Sequence, residues 1–225
     1  MKRAPAQRRL HFVVTAGPTR EYVDPVRYLS NVSSGRMGFE IAAAAAARGH
    51  RATLVAGPVK LDTPRGVERI DVESAREMLA AVRRAFVAAD ALVMAAAVAD
   101  WRPKRRLAGK WRKKDAGGES AVLELVKNPD VLATVARRKG SRTVVAFALE
   151  TGDGLRRARR KLLKKNADFI VLNDETALNA ERSSVTILDR QGQAQRHVGR
   201  LKRELARRLV ELVERGALDV STLGR

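Results

Sequence analysis

The chain contains no cysteine in 225 residues. That excludes disulfides, cysteine-ligated zinc, iron–sulfur clusters and thiol nucleophiles, and it suits a reducing compartment. Histidine is scarce, with residues at 11, 50 and 197 only. Their scatter gives neither a metal-ligand spacing nor a catalytic triad, so no protein-held metal site is expected. Aromatic residues make up 4%, too few for the stacking platforms that grip single-stranded nucleic acid. No apolar run reaches the roughly 18 residues of a membrane span. The basic opening "MKRAPAQRRLHFVVTAG" imitates a signal peptide, but its short apolar part reads better as a first strand. A cytoplasmic protein is the expectation.

What is present in excess is positive charge. There are 45 Lys and Arg against 25 Asp and Glu, formally +20, in a chain that is 45% hydrophobic and so has ample material for a core. Three readings of the charge stand side by side. Phosphate neutralisation would make a nonspecific nucleic-acid binder. The cations can equally be solvated basic faces. Or they serve a site for a highly phosphorylated small molecule.

Periodicity alternates along the chain. "LHFVVTA" (10–16), "ATLVAGP" (52–58), "ALVMAAAVAD" (91–100), "VLELV" (122–126), "TVVAFAL" (143–149) and "DFIVLND" (168–174) read as strands. Helical patterns occupy 36–50, 74–90, 129–139, 154–166 and 199–215, while 101–120 has no period and reads as a loop. "SVTILD" (184–189) alternates as a late antiparallel strand would. Strand–helix alternation is the signature of an α/β fold with a mainly parallel central sheet and helices on both faces. One domain over 10–215 is expected, between a basic N-terminal tail (1–9) and a C-terminal tail (216–225). Ligands of such sheets bind beyond the carboxyl ends of strands, here the loops starting at Gly17, Gly57, Ala95, Ala148 and Asn173.

The longest of these connections, 17–35, delivers Arg27, Asn31, Ser33 and Ser34 to the start of a helix. Free N–H groups and the positive dipole end there favour an anion, although either serine can simply cap the helix. Gly17, Gly35 and Gly38 are spaced too widely for a G-x-G-x-x-G dinucleotide turn. An NAD(P)-dependent oxidoreductase therefore rests on fold analogy alone.

The stretch "TAGPTREYVDPVRYLSNVSSGRMG" resembles the opening of the phosphopantothenate–cysteine ligase family, the phosphopantothenoylcysteine synthetases of coenzyme A biosynthesis. "AAAVADWRP" (95–103), "GKWRKK" (109–114), "KNPDVL" (127–132), "VVAFALET" (144–151) and "DFIVLND" (168–174) follow in the same order, so the resemblance covers about 10–190. It implies a Rossmann-like three-layer fold, a homodimer, and a reaction in which CTP with magnesium activates the carboxylate of 4′-phosphopantothenate. Pyrophosphate leaves, an acyl-cytidylate forms, and the cysteine amine displaces CMP. In bacteria this domain is commonly fused behind a flavin-dependent decarboxylase. Nothing in the chain resembles that half, so a separate decarboxylase partner is one expectation.

The resemblance also implies roles for particular residues. Asn31 would hold the acyl intermediate during amine attack, and Arg27, Ser33 and Ser34 would bind the substrate. Nucleotide contacts would come from Ala95, Ala96, Ala97, Asp100, Asn128, Pro129, Asp130, Val131, Phe147, Lys161 and Lys165. Asn128–Asp130 are equally explained as a helix start with Pro in the first turn. Lys161 and Lys165 lie four apart on one helix ridge, where two ammonium groups repel unless an anion sits between them. A lysine of the 101–120 loop would reach the reacting phosphates. The family pattern K-x-K-K is altered here, with spacing from Asp100 favouring Lys110 and leaving Lys113 as the other choice. The choice between CTP and ATP is not legible, and nucleic-acid binding remains the rival from another class.

Overall fold

Strand β1 (His11–Ala16) is buried along its whole length, as a run of apolar residues paired on both edges should be. The computed structural model describes residues 8–112, 119–149, 154–173 and 181–222. On one side β1 pairs in parallel with β4 (Arg51–Ala56), which pairs with β5 (Val67–Asp71). On the other it pairs with β6 (Ala91–Met94), followed by β9 (Thr143–Leu149) and β10 (Phe169–Asn173), all parallel. Antiparallel β11 (Arg182–Asp189) and β12 (Ala194–Leu201) complete an eight-stranded sheet of order β12-β11-β10-β9-β6-β1-β4-β5. This is the Rossmann-like α/β architecture with a late antiparallel addition that the sequence predicts.

Helices cover both faces. On one lie α1 (Arg36–Ala47) and α5 (Lys202–Thr222), whose Phe39, Ile41, Leu205, Leu209 and Val213 join Phe12, Val14 and Leu54 in a core cluster. On the other, α2 (Ala75–Phe86), α3 (Val131–Ala136) and α4 (Gly154–Lys164) bury Met78, Val82, Val135 and Leu162 against Val13, Leu92 and Ile170. The start of α2 is closed in the manner of a capping box shifted by one residue: Ser74 Oγ accepts from Glu77 N–H at 3.2 Å, while Glu77 Oε2 accepts from the N–H of Glu73, the residue before the N-cap, at 2.9 Å.

A polar cluster ties α5 to the sheet. Arg48 donates to the Glu214 carboxylate through Nε and Nη2, each at 2.7 Å, and His50 Nε2 donates to it at 2.7 Å. His50 Nδ1 accepts from Leu10 N–H at 3.3 Å, which assigns the ring proton to Nε2. Burial alone would raise the Glu214 pKa, but the hydrogen bonds from Arg48 and His50 outweigh it and hold the carboxyl below its usual range. His11 is also buried and structural, with Nε2 2.9 Å from Thr53 Oγ1.

Several local expectations are corrected. The long connection 17–35 contains a hairpin of β2 (Arg20–Tyr22) and β3 (Tyr28–Ser30). Its turn is held by buried Asp24, whose Oδ1 accepts from the N–H groups of Val26 and Arg27 at 2.8 Å each. The expected loop 101–120 begins with β7 (Trp101–Pro103), and the strand expected at 122–126 is realised as β8 (Leu125–Lys127). These two pair with each other and stay out of the main sheet. The final helix starts at Lys202, not 199, because 194–201 is the edge strand β12, and it continues through Thr222 into the expected tail. The polar, exposed residues of β12 carry no periodic signal; pairing with β11 makes them a strand.

Candidate functional site

A cleft opens beyond the carboxyl ends of β1, β6 and β9. Strand order reverses about β1, and such switch points are where open α/β sheets bind ligands. The loops after β1 and β6 are sutured together: Ala97 N–H donates to Gly17 O at 2.9 Å, Ala96 N–H to Thr15 Oγ1 at 3.1 Å and Ala99 N–H to Thr19 Oγ1 at 2.9 Å.

The main cavity, of about 530 Å³, is lined by Asn31, Ser33, Ser34, Ala95, Ala96, Ala97, Asp100, Phe147 and Lys161. An adjoining cavity of about 440 Å³ is lined by Asn128, Pro129, Asp130, Val131 and Lys165. The two share Ala96, Val98, Asp100, Phe147 and Lys161, so they form one trough. Thus fourteen of the sixteen residues singled out in the sequence meet here, drawn from five separate segments. The exceptions are Arg27 and Lys110.

The helix α1 enters this cleft uncapped. Its N-cap is Gly35, with φ 76°, and no side chain caps it and no acid occupies the first turn. Ser33 Oγ accepts only a long bond, 3.4 Å, from Gly35 N–H. The first-turn residues Arg36, Met37 and Gly38 line the cavity, so unpaired N–H groups and the positive helix end face it. Gly38 permits this approach: a Cβ there would lie 2.5 Å from Ala16 Cβ and 2.7 Å from Thr15 O. A Cβ on Gly35 would lie 3.3 Å from Gly17 N. The three glycines that are too far apart in sequence therefore converge in space, with the β2–β3 hairpin inserted between the first and second.

The Asn31 amide is oriented by two acceptors. Nδ2 donates to Ala97 O at 3.2 Å and Val98 O at 3.1 Å. Because both partners are carbonyls, the NH₂ must face them, which leaves Oδ1 for another donor. Asn128 is used structurally: its backbone N–H donates to Asp100 O at 2.8 Å and its Nδ2 to Ala99 O at 2.8 Å. Asp130 Oδ1 accepts from Ala133 N–H at 2.9 Å, capping α3, and its other oxygen forms an ion pair with Lys165. Burial pushes the Lys165 ammonium pKa down, while Asp100 pulls it the other way. The repulsion expected on the α4 ridge is thus relieved in part by Asp130.

Arg27 stands apart from the cavity lining. Its guanidinium pairs with Asp24 at 2.5 Å and donates to Trp111 O at 2.9 Å, while Trp111 N–H donates to Asp24 Oδ2 at 3.1 Å. Burial would raise the Asp24 pKa, but these N–H donors and the guanidinium hold it low. Lys110 is exposed one residue before this anchor. Lys113 and Lys114 lie outside the described residues, as does Asp174. Sequence reasoning missed Arg36, Ser183 and Lys202, which also line the main cavity. Arg36 had a signal in "SSGRMG"; the other two reach the cleft only through the antiparallel addition.

Residues 7–216 match the family described as DNA/pantothenate metabolism flavoprotein C-terminal domain. The chain is 46% identical over 180 residues to the coenzyme A biosynthesis bifunctional protein CoaBC of Vibrio parahaemolyticus, covering 78% of this chain and 45% of that protein. It is 49% identical over 166 residues to the protein of the same name from Escherichia coli K12, covering 73% of this chain and 41% of that one. It therefore spans less than half the length of these relatives. A crystal structure of the C-terminal domain of CoaBC superimposes with a TM-score of 0.82 at 35% identity, covering 96% of this chain and all of that one. The switch-point cleft and the matched span agree: the chain belongs to the DNA/pantothenate metabolism flavoprotein C-terminal domain family.

Proposed function

We propose that this domain joins 4′-phosphopantothenate to cysteine, activating the pantothenate carboxylate with CTP. The observation that carries this reading is the trough itself. An uncapped helix end, Lys161 and Lys165 face one continuous space with the Asn31 amide beside it. Such a space suits a triphosphate next to a second substrate, and the relatives' name, coenzyme A biosynthesis bifunctional protein, supports these substrates. The converging glycines alone would suit many nucleotides; the family favours the ligase.

In the first half-reaction a carboxylate oxygen attacks the α-phosphorus of CTP, and the bond to the bridging oxygen breaks, releasing pyrophosphate. In the second, the cysteine amine attacks the acyl carbon, and CMP leaves with the electron pair. Neither step needs a protein nucleophile; both need anions held in line. Ala95, Ala96 and Ala97 present small side chains where the nucleotide approaches the backbone, Asp100 and Phe147 flank it, and Asn128 to Val131 close the far wall. Asn31 Oδ1 accepts from the attacking amine, a narrower role than donor and acceptor at once, since its NH₂ is engaged by Ala97 and Val98. Ser33 and Ser34 border the pantothenate. Arg27 positions the segment bearing Lys110, which swings onto the reacting phosphates.

Magnesium would supply charge neutralisation on the triphosphate. No group of three potential metal-ligating side chains stands together among the described residues, so phosphate oxygens would provide most of its ligands, and Asp100 is the carboxylate lining the main cavity that could add one. The working form is a homodimer in the cytoplasm, alongside a decarboxylase carried in the same or a separate chain. Among the described residues no helix is long and apolar enough to cross a membrane.

The test is direct. The protein is incubated with phosphopantothenate, cysteine, magnesium and each nucleoside triphosphate in turn, and pyrophosphate and amide product are assayed. Pyrophosphate release should require phosphopantothenate and be fastest with CTP. Absence of turnover with every triphosphate sinks the reading.

A further inference from the structure

At the end of the sheet opposite the trough, a cavity of about 570 Å³ lies between the last turns of α2 and α3, beside the starts of β6 and β9. Its wall carries Arg83, Arg137, Arg138 and Arg142 and no carboxylate. The short helix α3 runs between the two spaces. Asp130 and Val131 at its start line the trough, Val135 and Arg138 at its end line this groove, and no lining residue is shared. Arg142 already has partners: Nη1 donates to Phe86 O at 2.9 Å, and the guanidinium lies 4.8 Å from the centre of the buried Phe86 ring. The guanidinium groups of Arg83, Arg137 and Arg138 make no ion pair or hydrogen bond among the described residues.

Helix C-termini attract cations, and Arg83 and Arg84 occupy the last turn of α2. That attraction is too small to account for the wall. Each helix end carries about half a negative charge, so two ends offset about one of the four positive charges, and α3, with six residues, falls short of a full dipole. Like charges gathered around one concave space repel, and an anion between them converts the repulsion into attraction. All four cations are arginine, whose planar fork donates parallel N–H bonds to an oxyanion. The volume falls within the roughly 300–1,000 Å³ usual for small-ligand sites, so the anion is compact. Phosphate suits the wall better than carboxylate. The arginines line the space from two helices and a loop, and a phosphate chain offers acceptors on every side, whereas a carboxylate offers them in one plane. Val87, 75% exposed, gives the rim an apolar edge.

We propose that this arginine groove is a second anion site, distinct from the trough, which binds the phosphate chain of a compact, multiply phosphorylated molecule. It gives a use to part of the formal +20 charge that the trough leaves unexplained. Because the two spaces have no lining residue in common, the site stands independently of the reaction assigned to the trough. The chain it binds is either inorganic or carried by a nucleotide.

Inorganic tripolyphosphate is titrated into the whole chain by calorimetry at one low salt concentration, where exposed charges are least screened. Wild type should bind one equivalent more than the double variant Arg137→Gln/Arg138→Gln, and either substitution alone should weaken that equivalent by about tenfold. Arg84→Gln removes the same charge from α2 outside the groove and should change nothing. Without ligand, the double variant should melt at or above the wild-type temperature, because repulsion is relieved. Citrate, with its charge on carboxylates, should bind the groove more weakly than tripolyphosphate by about tenfold or more. ATP separates the two sources: affinity equal to that of tripolyphosphate assigns the site to a nucleotide, exclusion assigns it to an inorganic chain, and both uphold it. Equal stoichiometry in wild type and the double variant overturns the proposal. So does an equal loss in Arg84→Gln, equal binding of citrate, or a lower melting temperature in the double variant, which would make the arginines caps for the helix ends.

Discussion

Lys165, directly after α4, forms an ion pair with Asp130, the residue that caps α3. The pair lies in the trough, so the carboxylate competes with any phosphate for the same ammonium. Asp130→Asn keeps an oxygen for the Ala133 N–H and removes only the charge. The expected result is a stability change within about 1 kcal/mol, since the pair is partly exposed, and a several-fold tighter binding of CTP. Lys161→Ala should instead raise the apparent nucleotide binding constant with little effect on the chemical step, as loss of a ground-state contact does. Titration calorimetry on both variants checks this; weaker CTP binding in Asp130→Asn contradicts the competition.

Lys110 should act on the transition state more than on binding. Its neighbour Trp111 is pinned to Asp24 and Arg27, which fixes the backbone beside the lysine while its own side chain stays exposed. Lys110→Ala is expected to slow pyrophosphate release by about 10²–10³ with a small change in CTP affinity, the usual effect of losing one preorganised charge. Single-turnover kinetics give the answer. Wild-type rates in this variant would transfer the role to Lys113.

Asn31→Asp should separate the half-reactions. The substitution removes the NH₂ that faces the Ala97 and Val98 carbonyls and puts negative charge beside the forming oxyanion. The variant should release pyrophosphate for at most one turnover, accumulate the acyl-cytidylate, and barely consume it when cysteine is added. Rapid quench with mass detection measures the bound species. Amide formation at normal speed, or no intermediate at all, refutes the assignment.

The Glu214 cluster predicts an acid-sensitive stability. Its carboxyl titrates below the usual range when folded, so its contribution is complete above the unfolded value of about 4.3 and is lost as pH falls through the depressed folded value. Glu214→Gln should cost about 2 kcal/mol at neutral pH, lowering Tm by about 4–8 °C for a chain of this size. The difference from wild type should shrink steadily as the pH drops below 4. A constant gap down to acid unfolding would show that charge is not what Glu214 contributes.

Gly38→Ala tests the closeness of α1 to β1. The added methyl would meet Ala16 Cβ at 2.5 Å and the Thr15 carbonyl at 2.7 Å, and backbone cannot yield cheaply. A loss of about 1–3 kcal/mol is expected from such overpacking, with weaker CTP binding because the helix end is displaced. Thermal melts and calorimetry should change together; CTP affinity surviving intact would uncouple the helix end from the nucleotide.

Much of this protein is legible from neighbours along the chain. Burial of β1, β4 and β6 shows as apolar runs, and the heavily charged "LRRARRKLLKKN" still spaces the buried Ala158 and Leu162 four apart, although Leu155 on the same pattern is exposed, because a strand or helix selects residues two, three or four apart. The order of motifs supplied the cleft residues from Asn31 to Lys165: Ala95 to Asp100 follow β6 and Asn128 to Asp130 follow β8, while Phe147 lies in β9 and Lys161 in α4. Other features depend on partners distant in sequence. "AQRHVGRL" becomes β12 only because β11 offers an edge, and Ser183 turns to the cavity only through the bulge in that pairing. Gly17 and Gly35 meet only when the hairpin between them folds out of the way. The direction of the Asn31 amide is chosen by carbonyls 66 and 67 residues further on, and Arg27, besides its local pair with Asp24, reaches the Trp111 carbonyl across 84 residues. Periodicity records which face of an element is buried; which groups then share a hydrogen bond or a charge is decided when long-range packing closes the chain on itself.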